Sequence, residues 1–179
     1  MKQIRFFFFL TSLFFALDSA QAVLMSPLGI DELTRKADLI IRATVLDKTC
    51  LRDEAGRIYT RVNVRVSEVW KGVLPTNAAP NALAIVQSGG TVGDVREEVS
   101  GEVQYDVGEE FVAFLVFNQR GEPVTIGLAQ GKFHVWRGQQ TGEIFACNPF
   151  YGAPEPAGND GWDKLRVSEL KQRVRRVMP

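Results

Sequence analysis

The sequence is poor in the residues that carry most enzyme chemistry. Its 179 residues include one histidine, His134, and two cysteines, Cys50 and Cys147. One histidine excludes a two-histidine metal site, and any histidine-based triad has only this residue to use. His134 alternates with aromatic neighbours in Phe133-His134-Val135-Trp136. It reads as a strand histidine on the polar side. No Gly-x-Ser-x-Gly elbow, phosphate loop, HExxH helix or cofactor motif occurs. Gly89-Gly90-Thr91-Val92-Gly93 is glycine-rich but lacks the Lys-Ser/Thr of a phosphate loop, and reads as a bend at a barrel corner. Charge of one sign is also missing: 21 basic residues face 21 acidic ones. Without a basic face to neutralise phosphates, nucleic acid is not an expected partner. Repeats and low-complexity tracts are absent.

The chain does have an address. Lys2 and Arg5 precede an apolar run at 6–17, and Ala20-Gln21-Ala22 has the small-x-small form of a signal peptidase site. The run is shorter than the ~20 apolar residues of a stable span. Residues 1–22 are therefore expected to be a signal peptide, the alternative being an uncleaved anchor. Residues 23–179 are expected to form one exported domain, periplasmic or secreted, with no stable membrane span after cleavage. Loss of Lys2, Arg5 and Asp18 leaves 19 basic and 20 acidic residues, a net charge of −1. In an oxidising compartment Cys50 and Cys147 are expected to form one disulfide. The alternative is two separate buried thiols.

Periodicity supplies the fold class. Residues 26–37 read as a short helix, with Asp31 and Glu32 near its start and Arg35 and Lys36 near its end. Residues 39–46 and 58–70 read as strands. In the second, Thr60, Val62, Val64 and Val66 share one face. A polar connection is expected at 47–57. Further strands are expected at 82–87, 108–117, 123–129, 132–137 and 143–147, with a long loop or irregular hairpin at 91–104. Gly89, Gly90, Gly108 and Gly131 mark structural turns or breaks. The stretch 105–118, YDVGEEFVAFLVFN, holds the most apolar segment of the mature chain. Val112, Phe114 and Val116 fall on one side of it, with Phe111, Ala113, Leu115 and Phe117 on the other. Both sides are expected to be covered. A last helix is expected from Ser168 as N-cap, with Leu170, Val174 and Val177 on one face. The whole reads as mainly β, a small Greek-key barrel with a short N-terminal helix and a C-terminal helix.

Three features invite a functional reading. Asp94, Glu97, Glu98, Glu102, Asp106, Glu109 and Glu110 form an acidic excess without EF-hand spacing, and read as a solvated face. The basic C-terminal helix reads as ordinary solubility and dipole matching, with an acidic partner or anionic surface as the alternative. Phe150 and Tyr151, in a Pro-rich loop at 148–160, are candidate partner-binding residues, with core capping beside Cys147 as the alternative.

Ala37-Asp38-Leu39-Ile40-Ile41 with Ala43-Thr44-Val45, then Val64-Arg65-Val66 to Val69-Trp70-Lys71-Gly72, resembles the opening of OB-like domains of the netrin/tissue-inhibitor-of-metalloproteinase type. Gly89, Gly90, Gly108, Glu109, Phe114 and Leu115, with the run 127–133, are similar to a group of uncharacterised exported bacterial proteins. The resemblance implies an OB-like five-stranded Greek-key barrel. Inhibitors of this type start with Cys-x-Cys to grip a catalytic zinc, whereas this mature chain starts Val23-Leu24-Met25. The expectation is therefore a non-enzymatic binding module for a protein or envelope component, without a cofactor. A protease inhibitor acting through a loop is the alternative, and a hydrolase without histidine the second.

Overall fold

Alternating apolar residues build two long strands, β1 (Leu39–Arg52) and β2 (Ile58–Lys71), which pair antiparallel along their length. The computed structural model, which describes residues 27–75, 79–138, 141–149 and 165–178, is mainly β. β3 (Ala82–Ser88) extends the pair, and β4 (Gly90–Val92) with β5 (Val95–Glu97) forms a small separate hairpin. β6 (Glu110–Phe117) pairs with the other edge of β1. β7 (Pro123–Thr125) and β8 (Lys132–Arg137) share the free edge of β6, and β9 (Ile144–Cys147) and β10 (Leu165–Arg166) continue outward. Helix α1 (Ile30–Lys36) precedes β1, and α2 (Val167–Val177) follows β10. The N-terminal segment 1–22, Phe150 and Tyr151 lie outside the described residues.

The apolar faces of β6 separate two cores. Phe111, Ala113 and Leu115 face Leu39, Ile41, Val62, Val64 and Ile85, with Val103 and Tyr105 in the same cluster. Val112 and Phe114 face the helices, among Leu33, Phe133, Leu170 and Val174. Tyr105 meets Phe111 edge-on at 4.9 Å between centroids.

Several element limits differ from the sequence reading. β1 continues to Arg52, through half of the expected polar connection, because β2 pairs with it residue by residue as far as Arg52↔Ile58. Polar side chains are tolerated there because that part of β1 is largely exposed. The strand expected at 123–129 stops at Thr125, and a 3-10 turn, Leu128–Gly131, follows. β7 and β8 are one line of chain interrupted opposite Phe114, where the Ile126 N–H donates to the Phe114 carbonyl. A Cβ on Gly131 would collide with the Ile126 carbonyl oxygen, so this break needs glycine for close approach. The last helix begins one residue before Ser168; Arg166 is its N-cap, and its N–H donates to the Glu169 carboxylate at 3.3 Å.

An ionic network ties α2 to the sheet. Glu68 receives Arg42 Nη1 at 3.0 Å, the Trp70 indole N–H at 3.0 Å, and Lys171 Nζ from α2. Arg42 Nε also donates to Glu110 at 2.8 Å. Led by Lys171, these donors outweigh burial and pull the Glu68 carboxyl down to about 2. A depressed carboxyl stabilises the fold above its unfolded value, and loses that contribution as pH falls through the folded one.

Phe114→Ala should cost about 3–5 kcal/mol of unfolding free energy in urea, whereas Phe117→Ala, at a position 37% exposed, should cost less than about 0.5 kcal/mol. Glu68→Gln should lower stability by about 1–2 kcal/mol at pH 7. That gap should shrink by roughly half by pH 3, read from urea midpoints; a gap that grows on acidification would contradict the network.

Candidate functional site

β3 and β7 lie side by side. Both run antiparallel to a neighbour of β1, so they run parallel to each other, and no hydrogen-bonded ladder joins them among the described residues. A cleft of about 710 Å³ opens at this seam. Its walls are the end of β3, the start of β2, the turns between β1 and β2 and between β6 and β7, and the chain at 97–102.

The turns meet through charge. Asp53 Oδ1 accepts the backbone N–H groups of Ala55 and Arg57 at 3.0 and 2.9 Å. Its Oδ2 holds Arg57 at 2.8 Å and Arg120, from the β6–β7 turn, at 3.4 Å. The Arg57 backbone N–H and guanidinium hold the Asp53 carboxyl below its ordinary range. This curls the tip of the β1–β2 ribbon onto the β6–β7 turn and fixes the rim. Leu128, on the opposite wall, has φ +58°, a left-handed conformation costly for a residue with a Cβ.

The polar groups inside are unevenly satisfied. Glu97 accepts the Ile58 N–H at 2.9 Å. Burial pushes the Glu102 carboxyl up, and only the Val103 and Ser88 backbone N–H groups pull it back. Gln87 Oε1 is buried with no hydrogen-bond partner among the described residues. A buried unmade acceptor carries a desolvation cost of about 1–3 kcal/mol. That oxygen has no accessible surface, so it does not open into the cleft.

Gly89 forms part of the cleft wall. Gly90, at φ +138°, lies so close to Thr60 and Cys50 that a Cβ would sit 2.6 Å from Thr60 Oγ1 and 2.8 Å from Cys50 Sγ. Gly108 sits in the turn before β6, its N–H on the Val45 carbonyl at 2.9 Å. The expected Cys50–Cys147 disulfide is not formed; both thiols are free. Cys50, on β1, faces Thr60 Oγ1 at 3.4 Å, while Cys147 pairs across strands with His134. β8 and β6 lie between their strands in the sheet order. The Thr60 hydroxyl and Thr91 N–H lower Cys50, whereas burial raises Cys147.

The acidic excess does not form one solvated face. Glu109 has only 8% of its side chain exposed and binds Lys132 Nζ at 2.6 Å and His134 Nδ1 at 2.8 Å. Lys132, 11% exposed, also donates to the Gln104 carbonyl and lies 4.8 Å from the Tyr105 ring centroid. Burial works against the Glu109 carboxylate, but Lys132, the Asp106 N–H and His134 outweigh it and hold the carboxyl low. Burial also lowers Lys132, against the pull of Glu109. A His–carboxylate pair can orient a base. The thiol opposite His134 is raised, the reverse of what an activated sulfur nucleophile needs. Among the described residues no three His, Cys, Asp or Glu side chains group as metal ligands, and no helix is long and apolar enough to cross a membrane.

Gln87, Tyr59 and Arg120 were not singled out by motif, and Glu102 entered only as part of the acidic excess. One signal was present: Gln87 continues the inward parity of Leu83 and Ile85, a polar residue at an apolar position. No protein-family model matches the chain, and no curated protein matches it either.

Glu109→Ala should cost about 3–5 kcal/mol in urea unfolding, because it strands the Lys132 charge. Adding Lys132→Met should restore most of that loss, and a double variant as unstable as the single one would contradict the pairing.

Proposed function

We propose that this chain is an exported, non-enzymatic binding module with an OB-like barrel, whose ligand site is the cleft between β3 and β7. The signal-peptide pattern at 1–22 supports export. Strand order supports the OB-like reading: β1, β2 and β3 form a meander, β6 returns beside β1, and β7 comes back parallel against β3. Side-by-side packing of β3 and β7 supports a closed circuit. The resemblance to the netrin/tissue-inhibitor type agrees with this circuit, while the missing Cys-x-Cys start removes that group's zinc-gripping chemistry.

One observation carries the reading. The seam holds a cleft of small-ligand size, lined by the Glu97, Glu102 and Glu122 carboxylates and by Tyr59. The other polar clusters are satisfied internally. Glu68 and Glu109 each meet basic side chains, so those clusters read as architecture. The ligand is a component of the cell envelope, consistent with the address.

Ser88→Trp places an indole at an exposed rim position and fills the cleft without entering either core. Residues 23–179, immobilised and incubated with envelope extract, should retain a component that the Ser88→Trp chain loses by about tenfold. Amide shifts should change at 86–89, 97–102 and 118–125. Equal retention by both chains would refute the cleft as the site, and an intact mass retaining residues 1–22 in exported material would refute cleavage.

A further inference from the structure

We propose that the outer face of α2 docks on an anionic phospholipid surface through Arg173, Arg175 and Arg176. This second surface is separate from the cleft and does not rest on it. α2 buries Val167, Leu170 and Val174. Its opposite side, with Ser168, Gln172 and the three arginines, is exposed. At about 3.6 residues per turn, Arg176 falls near the middle of the exposed arc, with Arg175 and Arg173 on either side of it.

The fold leaves these charges largely unused. Among the described residues Arg175 and Arg176 have neither hydrogen bond nor ion pair, and Arg173 has only a longer-range attraction to Glu169. Glu169 is itself held by Arg166 at 3.0 Å. Lys171, the other basic residue of the helix interior, is committed to Glu68. Dipole matching acts on the last turn, so it favours Arg175 and Arg176 but leaves Arg173 without a role. Arg173 and Arg176, three residues apart, are neighbours on the helix surface and repel each other.

Charge is segregated across the molecule. The mature chain carries a net −1, so only a local patch can attract an anionic surface. No carboxylate occurs at 170–178. The neighbouring helix α1 is balanced, with Asp31 and Glu32 against Arg35 and Lys36. The acidic stretch at 94–106 is anchored by Val103 and Tyr105 in the meander core, whereas α2 packs on the other face of β6.

The placement of the arginines selects the partner. They radiate outward from an exposed helix. The depression beside them is lined by Arg42, Arg166 and Lys171, all three already paired with carboxylates. An acidic protein would have to set three carboxylates at fixed positions to match such splayed side chains. A headgroup layer offers phosphates all along a plane, and each guanidinium can take one in paired geometry. The exposed residues of α2 include no apolar side chain, so contact stays at headgroup level without insertion.

The test uses residues 23–179, which include every described residue, and phosphatidylcholine vesicles with or without about 30 % phosphatidylglycerol. Co-sedimentation reads the binding. The mixed vesicles should bind at least about tenfold more tightly than the neutral ones, and release the chain at about 0.5 M salt. Arg173→Gln, Arg175→Gln and Arg176→Gln should each weaken binding by about fivefold, and together by about a hundredfold. Glutamine keeps helix propensity, and these side chains are exposed, so the fold should hold. Arg52→Gln, Arg61→Gln and Arg65→Gln together remove the same charge from exposed positions of β1 and β2, and should weaken binding by less than about threefold. Equal loss in the two triple variants would reduce the effect to net charge and overturn the proposal. Equal binding to neutral vesicles, binding to neither kind, or binding that survives the α2 triple variant would do the same. Ser88→Trp should leave vesicle binding unchanged; a loss there would move the lipid contact to the cleft and overturn the assignment to α2. If poly-glutamate binds and the mixed vesicles do not, the face takes an acidic protein and the lipid assignment falls. If the α2 triple variant fails to fold, the single variants and the salt dependence decide.

Discussion

β6 is apolar on both faces, and a strand of that kind must be covered twice. Each large side chain buried there contributes about 1.5–3 kcal/mol, so neither face is left to water. The face carrying Phe111, Ala113 and Leu115 draws the β1–β3 meander over itself. The face carrying Val112 and Phe114 draws in α1 and α2, which lie at opposite ends of the described chain yet share one core. This double demand sets the layer order of the molecule. It also explains why β6 is paired on both edges, since a strand buried on both faces has no water for its backbone groups.

Charge is arranged to hold those layers in place. Glu68 lies between a strand arginine and a helix lysine, and joins the sheet to α2. Glu109 and Lys132 do the same work between the turn before β6 and β8, at a more buried position. Buried pairs are weak evidence of net stabilisation but strong constraints on register, because breaking one strands the other. The cleft follows a different rule. There the arginines satisfy one aspartate, and the remaining carboxylates and the Gln87 oxygen are left to neutral donors or to none. Among the described residues no other buried side-chain nitrogen or oxygen lacks a partner.

The strands were legible because period-2 alternation reports one buried face. Thr60, Val62, Val64 and Val66 are all buried in β2, and Arg61 and Arg65 are exposed. The double burial of β6 was legible from its lack of polar alternation. The length of β1 was not, because its second half is polar on both sides and is held by pairing with β2 rather than by burial. Nor could composition reveal that Glu109 is buried, since its partners Lys132 and His134 lie more than twenty residues away in sequence. The expected disulfide failed for a related reason. Cysteine counting gives a permitted pairing, but strand order puts Cys50 on the β1–β2 ribbon and Cys147 on β9. The site was the least legible part, because it is assembled from turns and strand ends rather than from one motif.

The same constraint accounts for the position of the cleft. β7 and β8 together form the strand that lines the free edge of β6, but the chain breaks out at 126–131 opposite Phe114. β7 is therefore only three residues long, and among the described residues no ladder joins it to β3. A strand edge left without a partner is a liability, and proteins cover such edges with charge or loops. Here the chain at 97–102 crosses the seam and the Glu102 carboxylate takes the Ser88 N–H, so one side chain covers the edge and also charges the cleft. Complete pairing of β3 with β7 would remove the exposed edge and the recess together. The left-handed backbone at Leu128 and the glycine at 131 are the local strain and the close approach that keep the break in place. The recess is thus a consequence of how β6 is covered: the strand that protects its edge is interrupted, and the interruption leaves the seam open.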